Sequence, residues 1–394
     1  MTIDREIYQL KNPGAPGKRA LALGIIGAIA SLVGYYLNPE QLFHSYLVAY
    51  EFWLTIALGA LFFVMLHHLV GARWSIVLRR LAETIAQVIP LMAVLFIPVL
   101  FGLPYLYEWS HKESVAADAI LRWKSSYLNV VFFIIRAVFY FAVWTYLARR
   151  LYKISLEQDN GFKEEQVRKF RLTSAPGVII YGLTITFAAF DWLMSLDAHW
   201  YSTIFGVYIF GGSLVGIIAV MIVLALYLRK GNILSDCITI EHYHDLGKLL
   251  FAFTVFWAYI AFSQYFLIWY ANIPEETIWF RHRWVGSWKT LSLLIVFGHF
   301  IAPFFILITR GIKRNPRYLG VMALWMLIMH WVDLYWVVLP GFHHDGAFIS
   351  WIDFAPLLGI GGLCFWYFWR LLSSQPLVPV GDPRLDDSIK LTVN

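Results

Sequence analysis

Cysteine is nearly missing from this chain: its 394 residues include only Cys237 and Cys364. Two thiols, in no Cys-x-x-Cys pattern, exclude an iron-sulfur cluster, a thiolate zinc site or a covalent c-type haem held by this chain alone. Metal centres, if the chain serves redox chemistry, are expected in other chains. Charge is almost as scarce. Charged residues make up 14% and hydrophobic residues 60%, with a mean hydropathy of +0.64, which excludes an ordinary soluble domain and places the chain among polytopic membrane proteins. A cleavable leader is not expected, because the first 19 residues are polar and the apolar run after them continues into a full-length span.

What is present is a series of apolar runs of about 18 to 28 residues, each long enough to cross a hydrocarbon core of roughly 30 Å as a helix. Ten are read, at 20–37, 47–70, 83–107, 124–149, 177–197, 202–229, 248–271, 289–310, 318–339 and 350–373. The fold class is therefore all-α and polytopic, with a tail at 1–19, a ten-helix membrane domain at 20–373 and a tail at 374–394. Ten crossings put both termini on one side. That side receives 24 of the 31 Lys and Arg, the other side six, and Arg136 lies inside the fourth span. Such an imbalance predicts cytoplasmic termini. It also accounts for the net charge of +6 without nucleic acid.

The runs differ in ways that bear on packing. Pro90, Pro98 and Pro104 in the third each remove a backbone donor and predict kinks. Gly206, Gly211, Gly212 and Gly216 in the sixth predict close approach of another helix. The charged 148–176 stretch reads as a long solvated loop, and the tail after Ser374 as an extension available to a partner.

Ionisable side chains in a span cost about 2.5 to 3.5 kcal/mol on insertion scales, so each needs a partner or a purpose. Arg136 sits near the midplane and requires a carboxylate or water. The carboxylates on offer are Asp191 in the fifth run, Asp333 in the ninth and Glu51, about four residues in from the end of the second, with Asp197 and Asp353 nearer the boundary. His330 and Asp333, three apart, share a helix face on which a carboxylate can orient an imidazole. His299 lies at a depth similar to Arg136, and Gln264 and Tyr265 add neutral hydrogen-bonding groups. One such residue alone reads as a bundle histidine or an ion pair fixing helix register. Together they read as a polar layer, for which a proton path or a quinone headgroup site is the functional expectation. His67 and His68 are expected to meet water and headgroups, and His343-His344-Asp345 a solvated turn.

The stretch LIWYANIPEETIWF, residues 267–280, reads as an aromatic interfacial anchor at Trp269 and Tyr270. Asn272 and Pro274 suit the cap and first turn of a short surface helix, and Glu275 and Glu276 its positive end. The two acids are also placed to accept protons or dock a basic partner.

With DWLMSLDAHWYSTIFG (191–206) and HWVDLYWVVLP (330–340), the run FSQYFLIWYANIPEET (262–277) resembles the NrfD-like membrane subunits of bacterial alternative complex III. The resemblance extends over all ten runs, and the opening MTIDREIYQLKNPGAPGKRALALG looks more like the second of the two such subunits. It implies two four-helix bundles with flanking helices, and membership of a quinol:cytochrome c oxidoreductase in the bacterial inner membrane. It implies as partners a multihaem cytochrome c, an iron-sulfur subunit, the other NrfD-like subunit and a terminal oxidase, so that haem c and iron-sulfur clusters sit in those chains. No haem or metal is expected on this one; menaquinone or ubiquinone is the candidate ligand and proton translocation the candidate role. Two other classes stay open: a secondary transporter, for which the proline-rich third run is a hint, and a b-type cytochrome anchor using His299 and His330.

Overall fold

The computed structural model describes residues 8–10, 14–231 and 233–391; the remainder of the amino-terminal tail, with the opening motif's first residues, lies outside the described residues. Among the described residues the chain is an all-α polytopic membrane protein, and ten helices are long and apolar enough to cross a bilayer. They are α1 (Gly14–Leu37), α2 (Pro39–Val70), α3 (Ile76–Phe101), α4 (Val130–Asp159), α5 (Glu164–Leu196), α6 (Phe205–Lys230), α7 (Ile240–Ala271), α8 (Gly286–Leu307), α9 (Pro316–Gly341) and α10 (Trp351–Ser373). Both ends of the described chain lie at one face, called here the terminal face.

Helices α2 to α5 close one four-helix ring and α6 to α9 a second. The rings meet where α2 and α5 pack on α6 and where α2 packs on α9, while α1 and α10 pair with each other against α2. Glycine sets the closest of these contacts. A Cβ on Gly27 of α1 would lie 2.6 Å from the Gly359 Cα of α10, so the two backbones touch in the small-residue manner that apolar surroundings favour.

Several helices overrun the apolar runs that announced them. Helix α2 begins eight residues before position 47, with Asn38 accepting from the Gln41 amide and Pro39 in the first turn. Helices α4 and α5 end and begin at Asp159 and Glu164, so most of the stretch read as a solvated loop is helix. The physical reason is composition: Lys, Arg, Glu and Gln lower hydropathy without lowering helix propensity. The third helix breaks as its prolines demand. Its segments Ile89–Leu95 and Ile97–Phe101, and the following Leu103–Leu106, each carry proline at the second position. Tyr50 and Tyr46 of α2 donate to the Met92 and Leu95 carbonyls at these breaks, which satisfies acceptors that the ladder has lost.

The earlier start of α3 overturns the placement of Arg79 and Arg80 in a loop. Both are buried with Glu83, Arg79 3.1 Å and Arg80 3.3 Å from its oxygens. Arg80 reaches Asp159 of α4 at 2.8 Å and Arg79 reaches Asp382 at 2.7 Å. Asp382 belongs to the carboxy-terminal tail. That tail is not free: Leu377, Val378 and Leu385 are fully buried, Ser388 Oγ donates to the Trp74 carbonyl, and the Leu377 amide donates to the carbonyl of Tyr8. It packs on its own bundle because three apolar side chains and one acid find a matching apolar floor and an arginine there. His67 and His68 lie in the same region and are buried, His67 sharing a 2.7 Å hydrogen bond with the Phe63 carbonyl and His68 stacked on Phe170 at 3.8 Å. Neither meets water as the sequence suggested.

Candidate functional site

The polar residues singled out in the sequence separate into two clusters, one in each ring. In the first, Arg136 of α4 meets Asp191 of α5 through two parallel hydrogen bonds, Nε to Oδ2 at 2.8 Å and Nη2 to Oδ1 at 2.9 Å. Its remaining Nη1 donates to the Tyr127 carbonyl, and the guanidinium lies 3.9 and 4.3 Å from the Tyr127 and Phe132 ring centres. Tyr140 donates to Asp191 Oδ2 at 2.8 Å. Each nitrogen of the guanidinium thus makes a hydrogen bond, two of them in the fork geometry that makes arginine-carboxylate pairs directional. Such a pair holds two helices in register and has little freedom to pass a proton.

Glu51 belongs to this ring too. The longer α2 puts it twelve residues from the helix start rather than four, deep in the bundle, with one oxygen lacking a protein donor. Beside it the Tyr107 hydroxyl donates to the Trp192 carbonyl at 2.8 Å.

The second cluster is built differently. Asp333 of α9 accepts from the Tyr208 hydroxyl of α6 in a short hydrogen bond and from Trp257 Nε1 of α7 at 3.2 Å. It does not orient His330. Three residues turn a helix by about 300°, which suffices to aim Asp333 at the seam between α6 and α7 and His330 at the seam between α6 and α2. There the imidazole fills a notch left by two glycines: a Cβ on Gly212 would lie 3.1 Å from its Cε1 and one on Gly216 3.3 Å from its Cδ2. His330 Nε2 lies 2.9 Å from Thr55 Oγ1. Thr55 has a single proton and a 2.7 Å path to the Glu51 carbonyl; with that proton spent, it accepts from His330 Nε2–H. Nδ1 then carries a lone pair, and it has no protein partner.

His299 completes the cluster. It lies in a π-helical stretch of α8, Ile295–Ile301, and stacks on Trp257 with ring centres 3.8 Å apart. Within this i→i+5 pattern the Gly298 carbonyl looks to residue 303, a proline without an N–H, and the indole of Trp325 on α9 donates to that carbonyl instead, at 2.7 Å. Both His299 ring nitrogens are buried and neither meets a protein hydrogen-bond partner. Three buried imidazole nitrogens without partners, on two helices, are unusual, because unpaired buried polar atoms cost about 1 to 3 kcal/mol each.

Of the remaining candidates, Gln264 lies seven residues beyond Trp257 on α7, on the same helix face, and accepts from Ser202 Oγ at 2.9 Å. It extends the second cluster away from the terminal face. Tyr265 does not join it: its ring is 45% exposed on the outside of the bundle, edge-on to Phe280. Asp197 lies in the connection between α5 and α6 and accepts from the His199 amide at 3.3 Å, outside both clusters. Asp353 caps α10, accepting from the Ser350 amide, Ser45 and Gln41. Gln41 in turn meets His343 at 2.6 Å, so the His343 turn is tied to α2 rather than simply solvated.

Glu275 and Glu276 stand in the first turn of a helix, Pro274–His282, as the composition indicated. Asn272 does not cap it. With φ at 49°, Asn272 closes the end of α7, and Ile273 precedes the new helix. The Glu276 carbonyl accepts from Trp200 Nε1, which fixes this helix to the α5–α6 connection. Behind it lies Arg283, which the sequence reading passed over. It is buried over the Trp279 ring and donates to the carbonyls of Trp279, Trp336 and Val337. The latter two lie in the final turns of α9, where carbonyls attract a cation.

Nothing in the pattern of charges marked Tyr208, Trp257 or Thr55, since neutral donors carry no periodic signal. The glycine notch was the available clue. No family model matches this chain, and no curated protein matches its sequence.

Proposed function

We propose that the chain is a membrane subunit, without a redox centre of its own, of a quinol-oxidising respiratory assembly of the alternative complex III kind, and that its second helical ring carries protons. The observation that supports the proton role is the cluster of Asp333, His330 and His299, with its three orphaned imidazole nitrogens. A buried carboxylate and neutral imidazoles with free lone pairs are the groups that accept and return protons inside a membrane. Quinol oxidation releases two protons with two electrons, and partner chains bearing haem and iron-sulfur centres would take the electrons. The sequence runs at 191–206, 262–277 and 330–340 support the assignment to such an assembly, and the Lys and Arg bias supports termini on the cytoplasmic side of a bacterial inner membrane.

The relay consists of this chain's own residues. His330 Nδ1 and His299 accept protons, Asp333, held by Tyr208 and Trp257, supplies the negative charge that favours a proton in the cluster, and Gln264 with Ser202 leads toward the face opposite the termini. The orphaned nitrogens match a quinone carbonyl in kind. The space does not: His330 fills its glycine notch and His299 lies flush on Trp257, so no step is routed through a quinone here. Arg136 and Asp191 serve as a structural clamp. The broken α3 favours the transporter reading less than its prolines suggested, because Tyr46 and Tyr50 already occupy the freed carbonyls.

The test is Asp333→Asn in the native complex. Assembly should survive, while proton release per electron or turnover falls; full rates and full proton yield would refute the relay. Purification of the tagged chain in mild detergent tests the assembly itself, where co-migrating haem and iron-sulfur proteins with quinol oxidation are expected and a colourless chain running alone would overturn it.

A further inference from the structure

The terminal face carries a site that the proton cluster does not use. Between the end of α6 and the start of α9 lies an open cleft of about 540 Å³, lined by Leu226, Arg229, Lys230, Asn315, Pro316 and Arg317. Its lining holds three cations and no carboxylate. Among the described residues no ion pair engages Arg229, Lys230 or Arg317, whereas Arg314 close by is paired with Glu241 at 2.5 Å. Arg229 lies against the Tyr243 ring, 5.7 Å from its centre, which holds its guanidinium at the cleft.

Above the cations the surface changes character. From Tyr318 the outward face of α9 continues through Val321, Leu324, Trp325 and Ile328, all exposed. The spacing is that of one helical stripe, rising about 15 Å from the cleft at 1.5 Å per residue. A cationic end joined to an exposed apolar track complements one kind of molecule: an anion with a long hydrocarbon chain. Basic pockets between spanning helices on the positively charged side hold lipid headgroups in this way.

We infer that the α6–α9 cleft binds an anionic phospholipid, its phosphate between Arg229, Lys230 and Arg317 and an acyl chain along Val321, Leu324 and Ile328. A soluble phosphate would use the cations alone and leave the track irrelevant. The inference rests on the membrane-spanning architecture and is independent of the respiratory reading, so either can fail without the other.

The full chain, delipidated in neutral detergent, is titrated with phosphatidylglycerol, phosphatidylcholine or glycerol phosphate and read by native mass spectrometry. Phosphatidylglycerol should be retained, phosphatidylcholine should bind weakly, and glycerol phosphate should not displace the lipid. At about fivefold per cation near a membrane surface, R229Q/K230Q/R317Q should weaken retention by roughly a hundredfold. The single R317Q, on an exposed side chain, should weaken it several-fold with the thermal midpoint unchanged. K163Q/R168Q/K390Q removes three exposed cations elsewhere on the same face and should leave retention unaltered. Equal retention by wild type and both cleft variants, an equal loss in the remote variant, or displacement by glycerol phosphate would each overturn the proposal.

Discussion

Asp382 offers the sharpest test of how the carboxy-terminal tail is held. Its carboxyl is buried, which alone would raise its pKa, but Arg79 and Arg384 outweigh that and bring it from 3.8 to about 2. At about 1.36 kcal/mol per tenfold, that difference corresponds to about 2 to 3 kcal/mol, on the order of sixtyfold in the population of the released tail. Loss of one partner of a buried pair often costs about 3 to 5 kcal/mol. Here the lower figure applies, because Arg79 keeps Glu83 at 3.1 Å and Gln158 at 3.1 Å when Asp382 is neutralised. Asp382→Asn should therefore speed hydrogen exchange of the 375–391 peptide by about sixtyfold at pH 7, with the spanning helices unchanged. The pH dependence has a definite sign. The folded pKa lies below the unfolded one, so the stabilisation is complete above about pH 4 and is lost as pH falls toward 2. Less than a fivefold change in the tail, or acceleration spread evenly over all ten helices, would refute the docking argument.

The clamp reading of Arg136 and Asp191 predicts a different signature. Asp191→Asn or Arg136→Gln alone should destabilise the protein by about 3 to 5 kcal/mol in thermal unfolding, with the double change costing less than the two together; additive costs would show that the pair is not coupled. Proton yield per electron in whatever complex still assembles should be normal, in contrast to Asp333→Asn. The glycine notch is testable by volume. Gly216→Ala should be tolerated with a small loss, since a Cβ there comes 3.2 Å from Ile56 and 3.3 Å from His330. Gly216→Val should overpack by about 1 to 3 kcal/mol and displace His330 from Thr55; unchanged stability and proton yield in Gly216→Val would rule out the notch as the seat of His330.

How far the site could be read from the sequence varied with the kind of signal. Arg136 could be read as needing an opposite charge because an isolated charge in an apolar run must find one, but the sequence left Asp191, Asp333 and Glu51 all open as its partner. His330 and Asp333 were rightly read as buried, yet their spacing suggested contact, and the structure turns them to opposite sides of α6, His330 toward α2 and Asp333 toward α7. Gln264 and Tyr265 are adjacent in sequence and point to opposite sides, one into the second ring and one outward. Sequence spacing specifies an angle around a helix; it does not say which neighbour stands at that angle.

Hydropathy and proline positions were enough by themselves to determine ten helices and the breaks in the third. Each of these is a local property, imposed by the cost of placing backbone or charge in hydrocarbon. Two four-helix bundles were expected from the resemblance and not from any local property, and only the tertiary structure decided that the tail docks through Asp382 and that the polar layer is two clusters. One of these clusters is a bidentate ion pair, and the other brings an aspartate, held by Tyr208 and Trp257, together with two histidines that carry three unpartnered ring nitrogens. Those outcomes depend on which helix faces meet, and in this chain glycine notches and neutral donors such as Tyr208, Trp257 and Thr55 set the meeting, leaving almost no trace in charge or hydropathy.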